Sequence, residues 1–171
     1  MTTIEIPTLT TERLTLRAQS LADFEAYAAT LASARMVHID RLDRRDAWFV
    51  FCNDLAGWQL RGTGIWSVDR TGGPLVGWIG IQQPAHLPEP ELGWLLCDGQ
   101  EGQGYATEGA RATLGWARSR MASLVSYIAP ANSRSVAVAE RLGATPDRNA
   151  PLPEGETPNT TRVFRHWGAA A

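Results

Sequence analysis

The sequence predicts one mixed α/β layer domain, and three observations lead there. Stretches of alternating or continuous apolar residues interleave with stretches whose apolar residues recur at helical spacing. Clusters of Gly, Pro, Thr and Asn punctuate them. No internal repeat, low-complexity tract or linker interrupts the 171 residues, so the expectation is a single domain over 1–171, long enough to bury a core.

Taken in order, Glu12-Arg13-Leu14-Thr15-Leu16-Arg17 alternates polar and apolar, as a half-buried strand does. Ser20-Leu21-Ala22-Asp23 has the form of a capping box and opens a helix to about Leu31. Arg35 to Asp46 is mixed in character. Asp46 to Arg61 carries Trp48, Phe49, Phe51, Cys52, Leu55 and Trp58, a helical stripe that Gly62-Thr63-Gly64 ends. Ile65 to Asp69 and Leu75 to Gln82 read as strands, joined by Thr71-Gly72-Gly73-Pro74 into a hairpin. A proline-rich connection, Pro84 to Pro90, leads to a more apolar strand, Glu91 to Cys97, expected near the sheet centre. Tyr105 to about Arg120 is a helix whose face of Ala106, Ala110, Leu114 and Ala117 suits close packing on a sheet. Leu124 to Ile128 is a strand. Asn132 to Leu142 is a helix with Asn132 as N-cap and Gly143 as stop. Thr161 to Trp167 is a last strand after the loop Asn149 to Asn159.

Composition excludes several chemistries. The net charge of −2 leaves no electrostatic footprint for nucleic acid. No apolar run approaches the roughly 20 residues that span a bilayer. Met1-Thr2-Thr3-Ile4-Glu5 has neither the basic nor the apolar region of a signal peptide, so a cytoplasmic location is expected and the sequon Asn159-Thr160-Thr161 is a chance match. All 16 basic residues are Arg. Without lysine there is no P-loop and no Schiff-base chemistry. Cys52 and Cys97 form no C-x-x-C and are expected as reduced, mostly buried thiols. His38, His86 and His166 are scattered, so no metal is expected.

The chemically informative stretch is Glu91 to Ala106: strand, glycine-rich loop, helix start. Glycines let a backbone approach a ligand, and the first helical turn offers unpaired amides at a positive dipole end. Such a loop is either a tight strand-to-helix turn that binds nothing or a phosphate site. A dinucleotide fingerprint fails here, because its third glycine would fall at Thr107. Downstream, Asn132 and Ser135 share a face at a helix start, which capping alone also explains.

These segments resemble a known family. Leu9-Thr10-Thr11-Glu12-Arg13-Leu14-Thr15-Leu16-Arg17 resembles the opening strand of RimJ/RimL-type N-acetyltransferases of the GNAT superfamily. Glu91-Leu92-Gly93-Trp94-Leu95-Leu96 is similar to their strand beside the cofactor. Gly102-Gln103-Gly104-Tyr105-Ala106-Thr107-Glu108 resembles their pyrophosphate loop, and Asn132-x-x-Ser135 with Glu140-x-Leu142-Gly143-Ala144 their last motif. The matches keep the family's order from about residue 8 to 144. The resemblance implies a twisted, mostly antiparallel mixed sheet with helices on both faces and two parallel strands splayed to admit acetyl-CoA. It implies acetyl transfer to an amine without a covalent enzyme intermediate. One position departs: the loop pattern usually begins with Arg or Gln, and here Glu101 stands there. Glu101 is expected to face solvent while backbone amides hold the phosphates.

Roles follow from the resemblance. Glu91 is the candidate base, with an ion pair at the sheet edge as its alternative. Amides near Trp94, Leu95 and Leu96 are candidate oxyanion donors, and Gly93 would ease the distortion. Gly102, Gln103, Gly104, Tyr105, Ala106 and Thr107 are candidates for the phosphates. Asn132 is the candidate for the pantetheine arm, and Ser135 for the leaving thiolate. Arg35 to Trp48 borders the acceptor in the family, which makes His38, Asp40 and Arg41 candidate substrate residues against a plain charged surface. Cys97 as nucleophile lacks a partner base. Most of the seven tryptophans are expected in the core. The partners expected are a protein N-terminus or a small amine, no nucleic acid and no membrane, with a homodimer plausible from the frequency of symmetric oligomers alone. The competing function is a catalytically silent acyl-CoA-binding sensor or interaction module on the same fold. A third possibility, acetylation of aminoglycoside-like antibiotics, has no specific feature behind it.

Overall fold

The computed structural model describes residues 4–168. Its strands are β1 (Leu9–Thr10), β2 (Leu14–Ala18), β3 (Ile65–Arg70), β4 (Leu75–Gln82), β5 (Glu91–Leu96), β6 (Leu124–Ile128), β7 (Thr145–Pro146) and β8 (Arg162–Trp167). Its helices are α1 (Phe24–Ala32), α2 (Arg44–Arg61), α3 (Tyr105–Ala117) and α4 (Ser133–Arg141). One eight-stranded sheet runs in the order β1-β2-β3-β4-β5-β6-β8-β7. Every neighbouring pair is antiparallel except β5 with β6.

Strand periodicity assigns the two faces. Leu14, Leu16, Trp66, Val68, Ile79 and Leu92 point to one side and pack against α3 residues Tyr105, Ala110 and Ala117. Gly109 permits that close approach, since a Cβ there would lie 2.5 Å from Ile79 Cδ1. Ile65 and Trp78 point to the other side, onto Phe24, Tyr27, Ala47 and Phe51 of α1 and α2. The Ser20–Asp23 capping box forms, with the Ser20 amide donating to Asp23 Oδ2 at 2.8 Å. Arg17 then ties Asp23 to Asp69, at 2.8 and 2.5 Å.

Several expectations needed correction. β1 and β7 are two-residue strands, too short to show a period. The first long strand begins at Leu14, because Arg13 turns away toward α3. Helix α3 stops at Ala117, one turn early. Cys52 and Cys97 are free but only half-buried, Cys52 on α2 and Cys97 just after β5 against the α1–α2 layer.

Buried Asp54 of α2 accepts a hydrogen bond from Tyr27 Oη at 2.7 Å. Burial pushes its carboxyl from 3.8 up to about 7. A carboxyl raised on folding holds its proton more tightly when folded, so stability falls as pH climbs from about 4 to about 7. Asp54→Asn keeps an acceptor for Tyr27 without the buried charge. It is expected to raise Tm over wild type by about 5 °C at pH 8 and by less at pH 5. An equal gain at both pH values would refute the assignment to Asp54.

Candidate active site

The parallel junction makes the site. β5 and β6 share one ladder pair, Glu91 with Val125, and part beyond it. The edge of β5 left open is fixed by register. The Cys97 amide donates to Val76 O at 2.9 Å. Alternation then turns Glu91, Gly93 and Leu95 toward β4, and Leu92, Trp94 and Leu96 toward the gap. The amides of Trp94 and Leu96 therefore face the opening. Leu95 does not: its amide serves β4 and its side chain packs with the Trp78 layer. The proposed set of oxyanion donors narrows accordingly to Trp94 and Leu96.

A cleft of about 800 Å³ opens at this junction. It gathers Glu91, Gly93, Trp94, Asn132 and Ser135 with His38 and Asp40. Arg41 is exposed and does not line it, because the loop before α2 turns outward there. Among the seven tryptophans only Trp94 lines the cleft, and Trp58, Trp66 and Trp78 are core.

Glu91 is half-buried at the foot of the gap. Burial pushes its carboxyl up to about 7, opposed by the Gln82 side chain and the Tyr127 backbone amide. Gln82 Nε2 donates to Glu91 Oε2 at 3.5 Å. No arginine pairs with Glu91 among the described residues, so the ion-pair alternative has no partner. Burial also raises the Cys97 thiol, which disfavours a nucleophilic thiolate there.

At the start of α4, Asn132 Oδ1 accepts from the Ser135 amide at 3.1 Å, so it is a true N-cap. Its side-chain NH₂ remains available. Trp94 Nε1–H donates to Ser135 Oγ at 3.3 Å, which leaves the serine proton free to be donated elsewhere.

The loop before α3 is shaped by Gly102 and Gly104, at φ 77° and 81°, in the left-handed region that side chains resist. Gly104 caps α3 without a side chain. Among the described residues, the amides of Gly102, Gln103, Gly104, Tyr105, Ala106 and Thr107 donate to no backbone acceptor. Tyr105 and Ala106 are buried, so only their backbones can serve a ligand. Arg13 clamps this loop. It donates to Gln103 O at 3.0 Å, pairs with Glu108 at 2.6 Å and covers the Tyr105 ring at 5.0 Å. The sequence placed Arg13 only in a strand pattern.

Glu101 does not face solvent as the sequence suggested. It is half-buried and ion-paired with Arg35 from the loop after α1. Arg35 also reaches Asp98 at 3.4 Å and Leu96 O at 3.4 Å. The cation that the loop itself lacks thus arrives from a distant segment. Arg35→Met strands the Glu101 charge beside the amides that are candidates for the phosphates and is expected to weaken acetyl-CoA binding about fivefold at low salt, and less at high salt. Calorimetry at two ionic strengths checks this; unchanged affinity at both would refute it.

The GNAT acetyltransferase domain model matches residues 13–145. The chain belongs to the GNAT acetyltransferase family. An acetyltransferase from Agrobacterium tumefaciens shares 44% identity over 96% of each chain, with a TM-score of 0.87. RimL, a ribosomal L7/L12 alpha-N-protein acetyltransferase solved with coenzyme A, shares the fold at 16% identity over 93% of this chain and 96% of that one (TM-score 0.72). So does spermidine N-acetyltransferase from Vibrio cholerae with CoA and spermine, at 14% identity over 91% and 94% (TM-score 0.70). The eight-stranded mixed sheet with one parallel pair is the GNAT fold. Among the described residues no three His, Cys, Asp or Glu side chains converge as a metal site. No described helix is long and apolar enough to cross a membrane.

Proposed function

We propose that this GNAT protein transfers the acetyl group of acetyl-CoA to a primary amine on a cationic acceptor, by direct attack within a ternary complex. The observation that carries this reading is Glu91, a carboxyl held near pH 7 where two parallel strands part. Glu91 takes the proton that the attacking amine loses as its N–C bond forms and the C–S bond breaks. The Trp94 and Leu96 amides lie on the strand edge suited to the thioester carbonyl. The loop amides from Gly102 to Thr107 suit the pyrophosphate, and the Asn132 NH₂ the pantetheine arm. Ser135 Oγ–H suits the departing thiolate.

The acceptor class follows from the lining. Asp40, Glu154 and Glu156 border the cleft with Glu91, and among the described residues no arginine does. A second positive charge on the acceptor is therefore favoured, as in a polyamine or a basic N-terminal peptide. The Arg35–Glu101 pair removes the one feature that favoured a silent binding module. Membership in the RimJ/RimL branch, a cytoplasmic location and a homodimer belong to the same proposal.

Acetyl-CoA calorimetry followed by thiol release against polyamines, basic peptides and neutral amines tests it. Tight binding with release driven by cationic amines supports the reading. Release from neutral amines alone refutes the acceptor class, and binding without release from any member refutes the transferase role.

A further inference from the structure

β6 leaves β5 in an unusual way. The Val125 amide donates to Pro90 O at 3.1 Å, the regular parallel rung. The next amide of β6 on that edge belongs to Tyr127, and a continuing ladder would give it Leu92 O. Leu92 O instead accepts from Ser126 Oγ at 2.7 Å. The Tyr127 amide, released from the ladder, faces the gap and opposes the rise of the Glu91 carboxyl. A side-chain hydroxyl has taken the place of a backbone donor, and the freed donor serves the base.

Ser126 is itself held. β6 and β8 pair with a bulge: Leu124 faces Trp167 and Val125 faces Arg165, so His166 is the extra residue. Bulges re-aim side chains. This one brings His166 Nε2 to 3.0 Å from Ser126 Oγ. The serine proton is spent on Leu92 O, so Nε2 carries the ring hydrogen and donates. Nδ1 is buried without a partner. Burial pushes the ring down to about 4, so it stays neutral throughout the neutral pH range.

We infer that Ser126, oriented by His166, is a positioning residue that ends the β5–β6 ladder and thereby holds the Tyr127 amide on Glu91. The inference rests on the reading of Glu91 as base. The other titratable groups facing Glu91 across the cleft are His38, Asp40, His86, Tyr127, Glu154 and Glu156.

The test is the pH dependence of kcat/KM for an amine whose own titration lies well above pH 9, in wild type, Ser126→Ala, Ser126→Thr, His166→Leu and Glu91→Gln. In Ser126→Ala the Tyr127 amide returns to Leu92 O and Glu91 loses a donor to its charged form. The acid-limb midpoint is expected to rise by about one unit, with kcat at pH 6.5 falling about tenfold and acetyl-CoA KM little changed. Ser126→Thr keeps the hydroxyl and restores the midpoint. His166→Leu moves the midpoint the same way by less, and carries the test if Ser126→Ala does not fold. A limb abolished by Glu91→Gln but unmoved by the Ser126 or His166 substitutions overturns this inference alone. Wild-type activity in Glu91→Gln overturns the base assignment and this inference with it.

Discussion

Replacing Glu91 with Gln lowers kcat for acetyl transfer by about 10²–10⁴, the usual worth of a positioned base, while acetyl-CoA affinity holds within about twofold. The carboxyl sits at the foot of the gap, on the sheet face away from α3, which is the side proposed for the acceptor. Gln preserves volume and hydrogen bonding to Gln82 but accepts no proton. In wild type, activity is expected to rise with pH through about 7, where the buried carboxyl becomes ionised. That rise vanishes in the variant. Thiol release followed from pH 5.5 to 9 checks both statements. A variant that keeps the wild-type limb would show that another group takes the proton.

The second large effect concerns stability. Arg165 and Glu89 form a two-pronged ion pair at 2.9 and 2.8 Å, with both side chains only 9% exposed. Asp147 adds a third contact at 2.6 Å. Arg165→Met leaves Glu89 buried and unpaired, which is expected to cost about 3–5 kcal/mol of unfolding free energy. The double variant Glu89→Gln with Arg165→Met recovers most of that, because no uncompensated charge remains. The arginine holds the Glu89 carboxyl below its ordinary 4.5. A depressed carboxyl stabilises above its unfolded value, so this contribution is complete above about pH 4.5 and fades as pH falls further. Urea denaturation at pH 7 and pH 4 measures both. Equal stability of the single variant and wild type at pH 7 would refute the role.

The local parts of the molecule were readable from the chain. Period-two and helical spacing located the longer strands and helices, because each pattern is complete within a few residues. The loop from Gly102 to Gly104 announced itself through glycines that must adopt positive φ. Residues whose role depends on a distant partner were not readable. Ser126 and His166 meet only through a bulge between β6 and β8. Arg35 meets Glu101 across the loop after α1, so the departure at Glu101 looked like an exposed charge when it was a paired one. Arg41 shares its short, charged neighbourhood with Asp40, yet the loop turns one toward the cleft and the other outward.

The single rung between Glu91 and Val125 divides the sheet into a body of β1 to β5 and a smaller flap of β6, β8 and β7. Such a joint behaves as a seam. Substitutions far out on the flap can change the width of the slot without altering a residue that lines it. If the acyl group enters that slot as proposed, tolerance for chains longer than acetyl is expected to be a mechanical property of the seam, open to adjustment by mutations on its outer strands rather than by enlargement of the pocket wall.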